Sequence, residues 1–172
     1  MKIERLDKNK HDKKSFDCGV EALNNYLKAI SGQHDKKDLS RTFVLTSKQN
    51  PSQIKGFYSL TLCSVELEDL PPDIAKKYPN TIHCALIGRL AVNEKHQRQG
   101  FGSILLIDAI RKAIESSENI PTPMIIIDAK TPIARKIYLE MGFSSFPKDE
   151  DRLFMPMKDS IAMIKQVDAE IP

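Results

Sequence analysis

The sequence predicts an α+β domain with three layers, in which helices cover a central sheet. Three observations predict this fold class. The 172 residues are enough to bury one hydrophobic core in a single domain spanning residues 1–172. Segments with strand character alternate with segments whose apolar residues recur at helical spacing. Their order is one helix, three strands, and then helix, strand, helix and strand, which fits an α/β/α architecture.

The first half of the chain begins with a helix and continues into a hairpin. The helix is predicted over residues 16–31, with Asp17 as its N-terminal cap and Gly32 at its end. Two strands follow, over residues 41–47 and 54–67, and the turn residues between them predict a hairpin. A proline-bounded segment comes next and is long enough for only one or two helical turns.

The middle of the chain contains a strand, a long helix and a second strand. The strand is predicted over residues 83–92, and it runs through a polar loop into the helix. That helix ends near Ser116, and its apolar residues recur on one face. The stretch over residues 123–129 is short, continuous and β-branched, which predicts a strand buried on both faces.

The last part of the chain adds a helix, a strand and a terminal helix. Apolar residues from Ile133 to Met141 recur at helical spacing, and Gly142 marks the end of this helix. The last strand covers residues 152–157. Its proline predicts a strand at the edge of the sheet, because proline cannot donate a ladder hydrogen bond. Residues 160–167 predict a short C-terminal helix.

Composition and charge limit the classes of function. The N-terminal residues are charged, and no apolar run approaches the ~20 residues of a membrane helix, so we expect neither a signal peptide nor a membrane partner. The net charge of +3 permits an anionic ligand. The odd number and the spacing of Cys18, Cys63 and Cys84 predict free thiols in the cytoplasm and no metal site.

Two glycines stand where the long helix is predicted to begin. Gly100 and Gly102 each cost helix stability, roughly 0.5–1 kcal/mol relative to alanine. A strand, a glycine-rich turn and a helix N-terminus form an anion site, because free backbone N–H groups and the helix dipole point outward. A tight turn that allows close helix–strand packing is the alternative. No Gly-Lys-Ser/Thr and no third glycine follow, which excludes a P-loop and a dinucleotide fingerprint.

The same loop resembles the acetyl-CoA signature of GNAT N-acetyltransferases, in which Gln/Arg-x-x-Gly-x-Gly/Ala follows a strand and opens a helix. Here the signature reads Gln97-Arg98-Gln99-Gly100-Phe101-Gly102. Residues 127–143 look like the family's second half, with a strand, a helix carrying Ala-x-x-x-Tyr, and Gly-Phe. The resemblance covers residues 54–157. It implies the GNAT fold with a mixed central sheet, and acetyl-CoA as the acetyl donor.

Several short stretches are together similar to one branch of that family, the GNAT toxins of bacterial toxin–antitoxin modules. They are FDCGVEALNNYL, RTFVL, GFYSLT, IGRLAV and the IDAK…ARKIY…GF segment. These toxins acetylate the amino group of aminoacyl-tRNA and are neutralised by a ribbon-helix-helix antitoxin. The resemblance therefore implies a tRNA substrate, an antitoxin of that kind and a homodimer.

The resemblance also implies which residues hold acetyl-CoA. Backbone groups of the strand that ends at Val92 would bind the pantetheine arm, and amides of the loop would bind the diphosphate. The residues implied are Leu90, Ala91, Val92, Gln97, Arg98, Gln99, Gly100, Phe101, Gly102 and Ser103. Among them, Arg98 adds a formal positive charge.

Tyr138 matches the family position of the general acid that protonates the leaving thiolate. A phenol with a reference pKa of ~10 is protonated at neutral pH and can serve this role. A core tyrosine is the alternative, because Tyr138 lies on the apolar stripe with Met141. The α-amino group of an aminoacyl ester has a pKa below ~8, so a dedicated general base is not required. Three residues remain as candidates for one: His83, Glu66 and Cys84.

Basic residues are predicted to contact the acceptor. In the toxin branch, a basic surface at the corresponding places meets tRNA phosphates, and such contacts weaken with salt. The residues are Lys28, Lys36, Lys37, Arg41 and Arg89. Asp35 and Asp38 interrupt the run after the first helix, so a solvated face is the alternative. His34 and His96 are expected at the solvated surface.

Two other functions are consistent with the same sequence. One keeps the acetyltransferase and changes the acceptor to a small amine or a protein N-terminus. The other is a CoA-binding regulator without turnover, against which Tyr138 argues.

Overall fold

The computed structural model describes residues 1–170. Within that range the strands are β1 (Lys2–Arg5), β2 (Arg41–Thr46), β3 (Gly56–Val65), β4 (Ile82–Val92), β5 (Met124–Asp128), β6 (Ser144–Phe146) and β7 (Asp149–Pro156). The α-helices are α1 (Glu21–Asn25), α2 (Ser31–Lys36), α3 (Pro72–Ala75), α4 (Phe101–Ser117), α5 (Pro132–Glu140) and α6 (Met157–Glu170). The predicted domain over residues 1–172 also includes residues 171 and 172, which lie outside the described residues.

One mixed sheet contains the strands in the order β1-β2-β3-β4-β5-β7-β6. β1, β2 and β3 are antiparallel neighbours, and this confirms the hairpin predicted for β2 and β3. β4 and β5 are parallel, with Ala85 opposite Ile125 and Ile87 opposite Ile127. A parallel pair needs a crossover connection, which α4 provides. β7 is antiparallel to both β5 and β6.

The chain forms two compact units. The first comprises residues 1–61 and 88–109. Its core is aromatic and aliphatic, and the rings of Phe16 and Phe57 meet edge-on with centroids 5.4 Å apart. The buried residues of this core are Phe16, Cys18, Leu23, Tyr26, Leu27, Val44, Ile54, Phe57 and Ala91.

The second unit comprises residues 62–87 and 110 onward. Its centre is β5, in which Met124, Ile125, Ile126 and Ile127 are all buried, as the continuous apolar run predicts. One face of the sheet carries a core of Val65, Leu70, Ile82, Cys84, Met124, Ile126, Phe146 and Phe154.

The predicted start of the first helix, at residue 16, is wrong. The helix begins at Glu21, and Asp17 does not cap it. Instead, the Asp17 carboxylate accepts hydrogen bonds from the backbone N–H of Gly19 at 2.9 Å and from the side chain of Asn24 at 2.7 Å. A carboxylate that binds backbone two residues on forms an Asx turn, which competes with helical structure at this point.

The predicted end of the first helix, at Gly32, is also wrong. Helical backbone continues from α1 through a π-helical turn at Tyr26–Ile30 into α2, which ends at Lys36. The residue that leaves the helical conformation is Asp38, with φ of 56°. Aspartate tolerates this left-handed conformation, and Gly32 is accommodated inside the helix at a modest cost in stability.

The structure contains two strands that the sequence does not predict, β1 and β6, and it places β7 differently from the prediction. β1 is not predicted, because its sequence KIER has one apolar residue and no alternation. β7 lies between β5 and β6, so the edge position predicted from its proline is wrong. Pro156 is the last residue of β7 and lies opposite Met124, so the missing N–H falls at the end of the ladder.

The later helices follow the sequence more closely. α4 ends at Ser117, close to the predicted end, and Gly142 adopts φ of 100° just after α5. α6 is longer than predicted and covers 14 residues. No helix within residues 1–170 has the length and apolar character needed to cross a membrane.

Gly56 lies at a close approach inside the first unit. A Cβ built at this position would be 2.6 Å from Leu105 Cδ1 and 2.8 Å from the carbonyl oxygen of Ala91. Because that oxygen belongs to the backbone, we expect Gly56→Ala to lower the free energy of unfolding by about 1–3 kcal/mol. Urea unfolding followed by circular dichroism measures the change.

Gly32→Ala is the matched control for this substitution. The nearest atom to a Cβ at Gly32 is Lys13 Nζ, 4.0 Å away. Alanine is favoured over glycine inside a helix by about 0.5–1 kcal/mol, so this variant should be more stable than the wild type. A loss of stability of the same size in both variants would contradict the role given to the contacts of Gly56.

Candidate active site

A short turn connects β4 to α4 and is tied to the segment before α1. The backbone N–H of Glu94 donates to the carbonyl oxygen of Asp17 at 2.8 Å. Nε2 of Gln97 donates to two carbonyl oxygens, that of Val92 at 3.0 Å and that of Cys18 at 3.1 Å. The side chain of Gln97, predicted as a cofactor residue, therefore holds this turn in place.

The loop after this turn contains two residues in the left-handed conformation. Arg98 has φ of 60° and Gly100 has φ of 82°. A Cβ added at Gly100 would have no protein atom within 4 Å, and one at Gly102 would meet only Val92 Cγ2 at 3.9 Å. Close helix–strand packing therefore does not explain these glycines. They leave open space beside the backbone.

Six consecutive backbone N–H groups of this loop and of the first turn of α4 have no acceptor in the part of the chain that the structure describes. They belong to Arg98, Gln99, Gly100, Phe101, Gly102 and Ser103. The next N–H, of Ile104, donates to the carbonyl oxygen of Gly100 at 3.2 Å and starts the helical pattern. Free amides at a helix N-terminus, next to space that a Cβ would fill, fit a diphosphate.

The side chains of the loop add charge and an aromatic ring. Arg98 is exposed and has no acidic partner among the described residues. The Gln99 side chain donates to the Lys95 carbonyl oxygen at 3.4 Å. Lys55 Nζ lies 5.5 Å from the centroid of the Phe101 ring. Ser103 is exposed on the first turn of α4.

His96 differs from its predicted position at the solvated surface. It is half-buried, its ring lies edge-on to Phe101, and its Nε2 is buried without a hydrogen-bond partner among residues 1–170. Burial and the positive charge of Lys55 lower its pKa, so the ring is neutral at physiological pH.

The end of β4 is the second part of the cofactor prediction. β4 pairs in parallel with β5 through Ala85, Leu86 and Ile87, and it continues to Val92. The backbone of Leu90 and Val92 lies beyond that pairing, and the Val92 carbonyl oxygen accepts from Gln97 Nε2. An unpaired strand edge binds an extended ligand as an added strand would be bound. Ala91 is buried in the core of the first unit.

Tyr138 is placed on α5 in the second unit. The helix is capped by Thr131, whose side chain accepts a hydrogen bond from the Ala134 N–H at 3.1 Å. Tyr138 is 5% exposed, whereas Ile133 and Ile137 on the same apolar stripe are 73% and 41% exposed. The stripe as a whole is therefore not core, and Tyr138 is the residue of α5 that turns inward.

The Tyr138 hydroxyl has no hydrogen-bond partner within residues 1–170, and its ring centroid lies 6.2 Å from that of Phe143. Burial raises the pKa of the phenol above its ordinary value. The hydroxyl oxygen is not one of the fully buried side-chain atoms that lack a partner, so it is accessible although the ring is buried. A protonated phenol with no partner in the protein fits a group that donates to a ligand.

The three residues considered as general bases are occupied or inert. The side chain of His83 contacts Ser64 Oγ at 3.2 Å, and the carboxylate of Glu66 accepts from the Thr81 hydroxyl at 2.8 Å. Burial raises the pKa of the Cys84 thiol to about 12, which keeps it protonated. All three cysteines are free. No His, Cys, Asp and Glu side chains in the described range are grouped to hold a metal ion.

The predicted acceptor residues of the first unit are not equivalent. Arg41 forms ion pairs with Asp38 and, at 3.7 Å, with Asp35, so much of its charge is neutralised within the protein. Three lysines remain exposed, without an ion pair among the described residues, and they are Lys28, Lys36 and Lys37.

Arg89 is held differently from the lysines. Its guanidinium carbon lies 3.9 Å from the centroid of the Tyr26 ring, which is a cation–π contact. Tyr26 is 1% exposed and is not identified by the sequence as a functional residue. His34, expected at the surface, is half-buried and lies edge-on to the same ring at 5.7 Å.

The mixed sheet and the free amides at the start of α4 fit an enzyme that uses an acyl-CoA donor. Residues 26–143 match the model of the acetyltransferase (GNAT) family, and the chain belongs to that family. It is therefore an N-acetyltransferase with acetyl-CoA as its donor.

Two related proteins match nearly the whole length of this chain. A tRNA-acetylating toxin of Mycobacterium tuberculosis is 33% identical over 153 residues, 89% of this chain and 90% of the relative. A probable toxin TacT of Sinorhizobium fredii is 28% identical over 164 residues, 90% of each chain. Similarity to these proteins extends well beyond the conserved fold of the family model.

A solved structure provides the third comparison. AtaT complexed with acetyl-methionyl-tRNAfMet superposes with a TM-score of 0.85 at 28% identity, covering 94% of this chain and 98% of that chain. AtaT carrying a Tyr-to-Phe mutation has also been solved with the C-terminus of the antitoxin AtaR and acetyl-CoA. The GNAT fold predicted from the sequence is confirmed.

Proposed function

We propose that this N-acetyltransferase is a toxin that acetylates the amino group of aminoacyl-tRNA. The observation that carries the proposal is the 33% identity, over 89% of the chain, to a tRNA-acetylating toxin. The solved complex of AtaT with an acetylated aminoacyl-tRNA, at a TM-score of 0.85, supports the same substrate class.

The cofactor site that we propose lies in the first unit. The six free amides from Arg98 to Ser103, with the charge of Arg98, would hold the diphosphate of acetyl-CoA. The backbone of Leu90 and Val92 would hold the pantetheine arm. Bound acetyl-CoA supplies the acetyl group as a thioester. The protein contributes mainly by positioning, which can supply several kcal/mol of the barrier.

Tyr138 is the general acid in this proposal. Its phenol is buried and protonated, and its hydroxyl is not engaged by the described residues. The α-amino group of an aminoacyl ester has a pKa below ~8, so a sufficient fraction is already neutral at physiological pH. This explains why His83, Glu66 and Cys84 need not serve as a base.

The acceptor is held through its phosphates in this proposal. Arg89 and the three exposed lysines Lys28, Lys36 and Lys37 provide positive charge in the first unit, while the charge of Arg41 is largely neutralised by Asp38 and Asp35. Phosphate contacts position a nucleic acid and do not read its sequence. We therefore assign these residues to the tRNA body and not to the choice of amino acid.

The proposed class, a toxin that acetylates aminoacyl-tRNA, also implies protein partners and a location in the cell. An antitoxin would neutralise the enzyme, as the complex of AtaT with AtaR supports for this kind of protein. We propose a ribbon-helix-helix antitoxin, a homodimer and a cytoplasmic location, where aminoacyl-tRNA is present. Co-expression of the antitoxin should relieve the growth arrest that expression of the enzyme causes.

Acetyl transfer to a charged tRNA tests the proposed acceptor. Purified protein and radiolabelled acetyl-CoA are incubated with one kind of acceptor at a time. The acceptors are aminoacyl-tRNA, the free amino acids, small amines and a set of peptides. We expect labelled N-acetyl amino acid after mild alkaline hydrolysis of the tRNA ester, and little product with the other acceptors. A higher kcat/KM for a small amine or a peptide N-terminus would establish the alternative acceptor.

The exposed lysines give a prediction about salt. We expect the double variant Lys36→Gln/Lys37→Gln to weaken tRNA binding, and to reduce the slope of log Kd against log salt concentration by about 1–2, because two phosphate contacts are lost. Filter binding between low and physiological salt measures both effects. Lys76→Gln/Lys77→Gln is the control, since these residues form an exposed lysine pair outside the predicted surface. If the wild type and both double variants have the same slope, Lys36 and Lys37 do not contact tRNA phosphates.

A further inference from the structure

Arg89 and Tyr26 form a stacked pair in the first unit. The guanidinium carbon lies 3.9 Å above the centroid of the ring. A planar guanidinium in contact with an aromatic face keeps its N–H donors directed outward from its edge. The ring therefore determines the direction in which Arg89 can donate hydrogen bonds.

The Tyr26 ring itself is fixed on several sides. Its hydroxyl lies 2.9 Å from Ser40 Oγ and 3.2 Å from Thr42 Oγ1, so two contacts anchor the end of the side chain. Its ring stacks on Phe57 with centroids 6.1 Å apart and planes at 20°, and His34 meets it edge-on. With 1% of the residue exposed, Tyr26 has no room to rotate.

Arg89 is not used in an ion pair within residues 1–170. Two other arginines of the same unit are: Arg5 contacts Asp35 at 2.8 Å, and Arg41 contacts Asp38 and Asp35. A half-buried arginine that is oriented by a buried ring and left without a carboxylate is suited to a bound anion. Its bidentate edge matches a phosphate.

We propose that Tyr26 is a positioning residue for the acceptor, because it orients the Arg89 guanidinium so that its edge binds a phosphate of the tRNA. This inference rests on the proposed function. Tyr26 does not touch the substrate in this scheme and acts only through Arg89. A lysine at position 89 would keep the positive charge but lose the planar guanidinium that contacts the ring.

A double-mutant cycle tests the pair. The single variants are Tyr26→Met, which removes the flat ring with little loss of volume, and Arg89→Lys, and the double variant combines them. We expect each single variant to raise KM for aminoacyl-tRNA by about 10-fold, in the range of a desolvated cation–π contact. The value of kcat at saturating tRNA and the Kd for acetyl-CoA should stay within about twofold.

The double variant distinguishes positioning from independent effects. If Tyr26 acts through Arg89, Tyr26→Met should change KM by less than about twofold in the Arg89→Lys background. Tyr26→Phe retains the ring and should keep a KM close to that of the wild type. Multiplicative effects of the two substitutions, or a wild-type KM for Arg89→Lys, would overturn the inference.

Folding of the variants is followed by thermal unfolding, because Tyr26 is a core residue. If Tyr26→Met does not fold, Tyr26→Leu takes its place in the cycle, and the comparison of Arg89→Lys with Arg89→Gln tests whether the planar guanidinium is required. Equal increases of KM in these two variants support a role for the planar guanidinium of Arg89. A wild-type KM for Arg89→Lys contradicts that role. Failure of the wild type to acetylate aminoacyl-tRNA would instead overturn the proposed function, so the two failures are distinguishable.

Discussion

Replacement of Tyr138 by phenylalanine is expected to lower kcat for acetyl transfer by about 10²- to 10³-fold, the size typical of a lost general acid. The Kd for acetyl-CoA should change by less than about twofold, because backbone groups of the first unit are proposed to bind it. Steady-state kinetics with aminoacyl-tRNA and calorimetric titration with acetyl-CoA measure the two quantities.

The physical reason is the state of the Tyr138 hydroxyl. Burial raises the pKa of the phenol, so the proton is retained throughout the physiological range. The hydroxyl makes no hydrogen bond to the described residues, so removing it breaks no contact within the protein. The phenylalanine ring can keep the packing against Phe143, and the thermal stability of the variant should be close to that of the wild type.

Tyr78→Phe is the matched control for this experiment. Tyr78 is a half-buried tyrosine of the same unit, burial raises its pKa as well, and it has no proposed part in transfer. Its kcat should equal that of the wild type. If Tyr138→Phe also has the kcat of the wild type, Tyr138 is a packing residue and protonation of the leaving thiolate needs another donor.

Gly100→Ala is expected to raise the Kd for acetyl-CoA by at least about 100-fold. The methyl group of the alanine fills the space beside the free amides. In addition, alanine disfavours φ of 82° by about 1–2 kcal/mol, so the free loop would relax to another conformation and would have to return to this one to bind. Each charge-assisted hydrogen bond to the diphosphate that is lost costs about 1.5–3 kcal/mol. Isothermal titration calorimetry with acetyl-CoA measures the change.

Gly142→Ala separates backbone strain from loss of the cofactor site. Gly142 also has a left-handed conformation, with φ of 100°, and a Cβ there would be 3.6 Å from Met155 Cε. The variant should lose stability by a similar amount and keep the Kd for acetyl-CoA. Equal increases of Kd in the two variants would mean that strain alone, and not access to the amides of the loop, determines cofactor binding.

The parts of the fold that the sequence predicts well are those in which local pattern and burial agree. The apolar run of β5 is buried throughout, and the glycines at the start of α4 mark the free amides. Local chemistry misleads where side chains have competing partners. Asp17 has the residue type of a helix cap, and it binds Gly19 and Asn24 instead.

Tertiary contacts account for what the sequence could not predict about the site. Arg89 is identifiable as a basic residue, but its contact with Tyr26 depends on how the π-helical turn at Tyr26–Ile30 packs against the sheet. Likewise, Arg41 is similar to the neighbouring lysines in sequence, and only the fold reveals that Asp38 and Asp35 neutralise it. Charge counted along a chain does not say which charges are already paired.

The tether between Gln97 and the segment before α1 makes coenzyme affinity depend on residues far from the signature in sequence. The carbonyl oxygens of Asp17 and Cys18 hold Glu94 and Gln97, and through them the start of the loop that presents the amides. A protein that bound residues 17–19 and broke these hydrogen bonds would make the loop more mobile without occupying the acetyl-CoA site. Such a partner would raise the KM for acetyl-CoA while bound outside the coenzyme site, because each ligand would weaken the binding of the other.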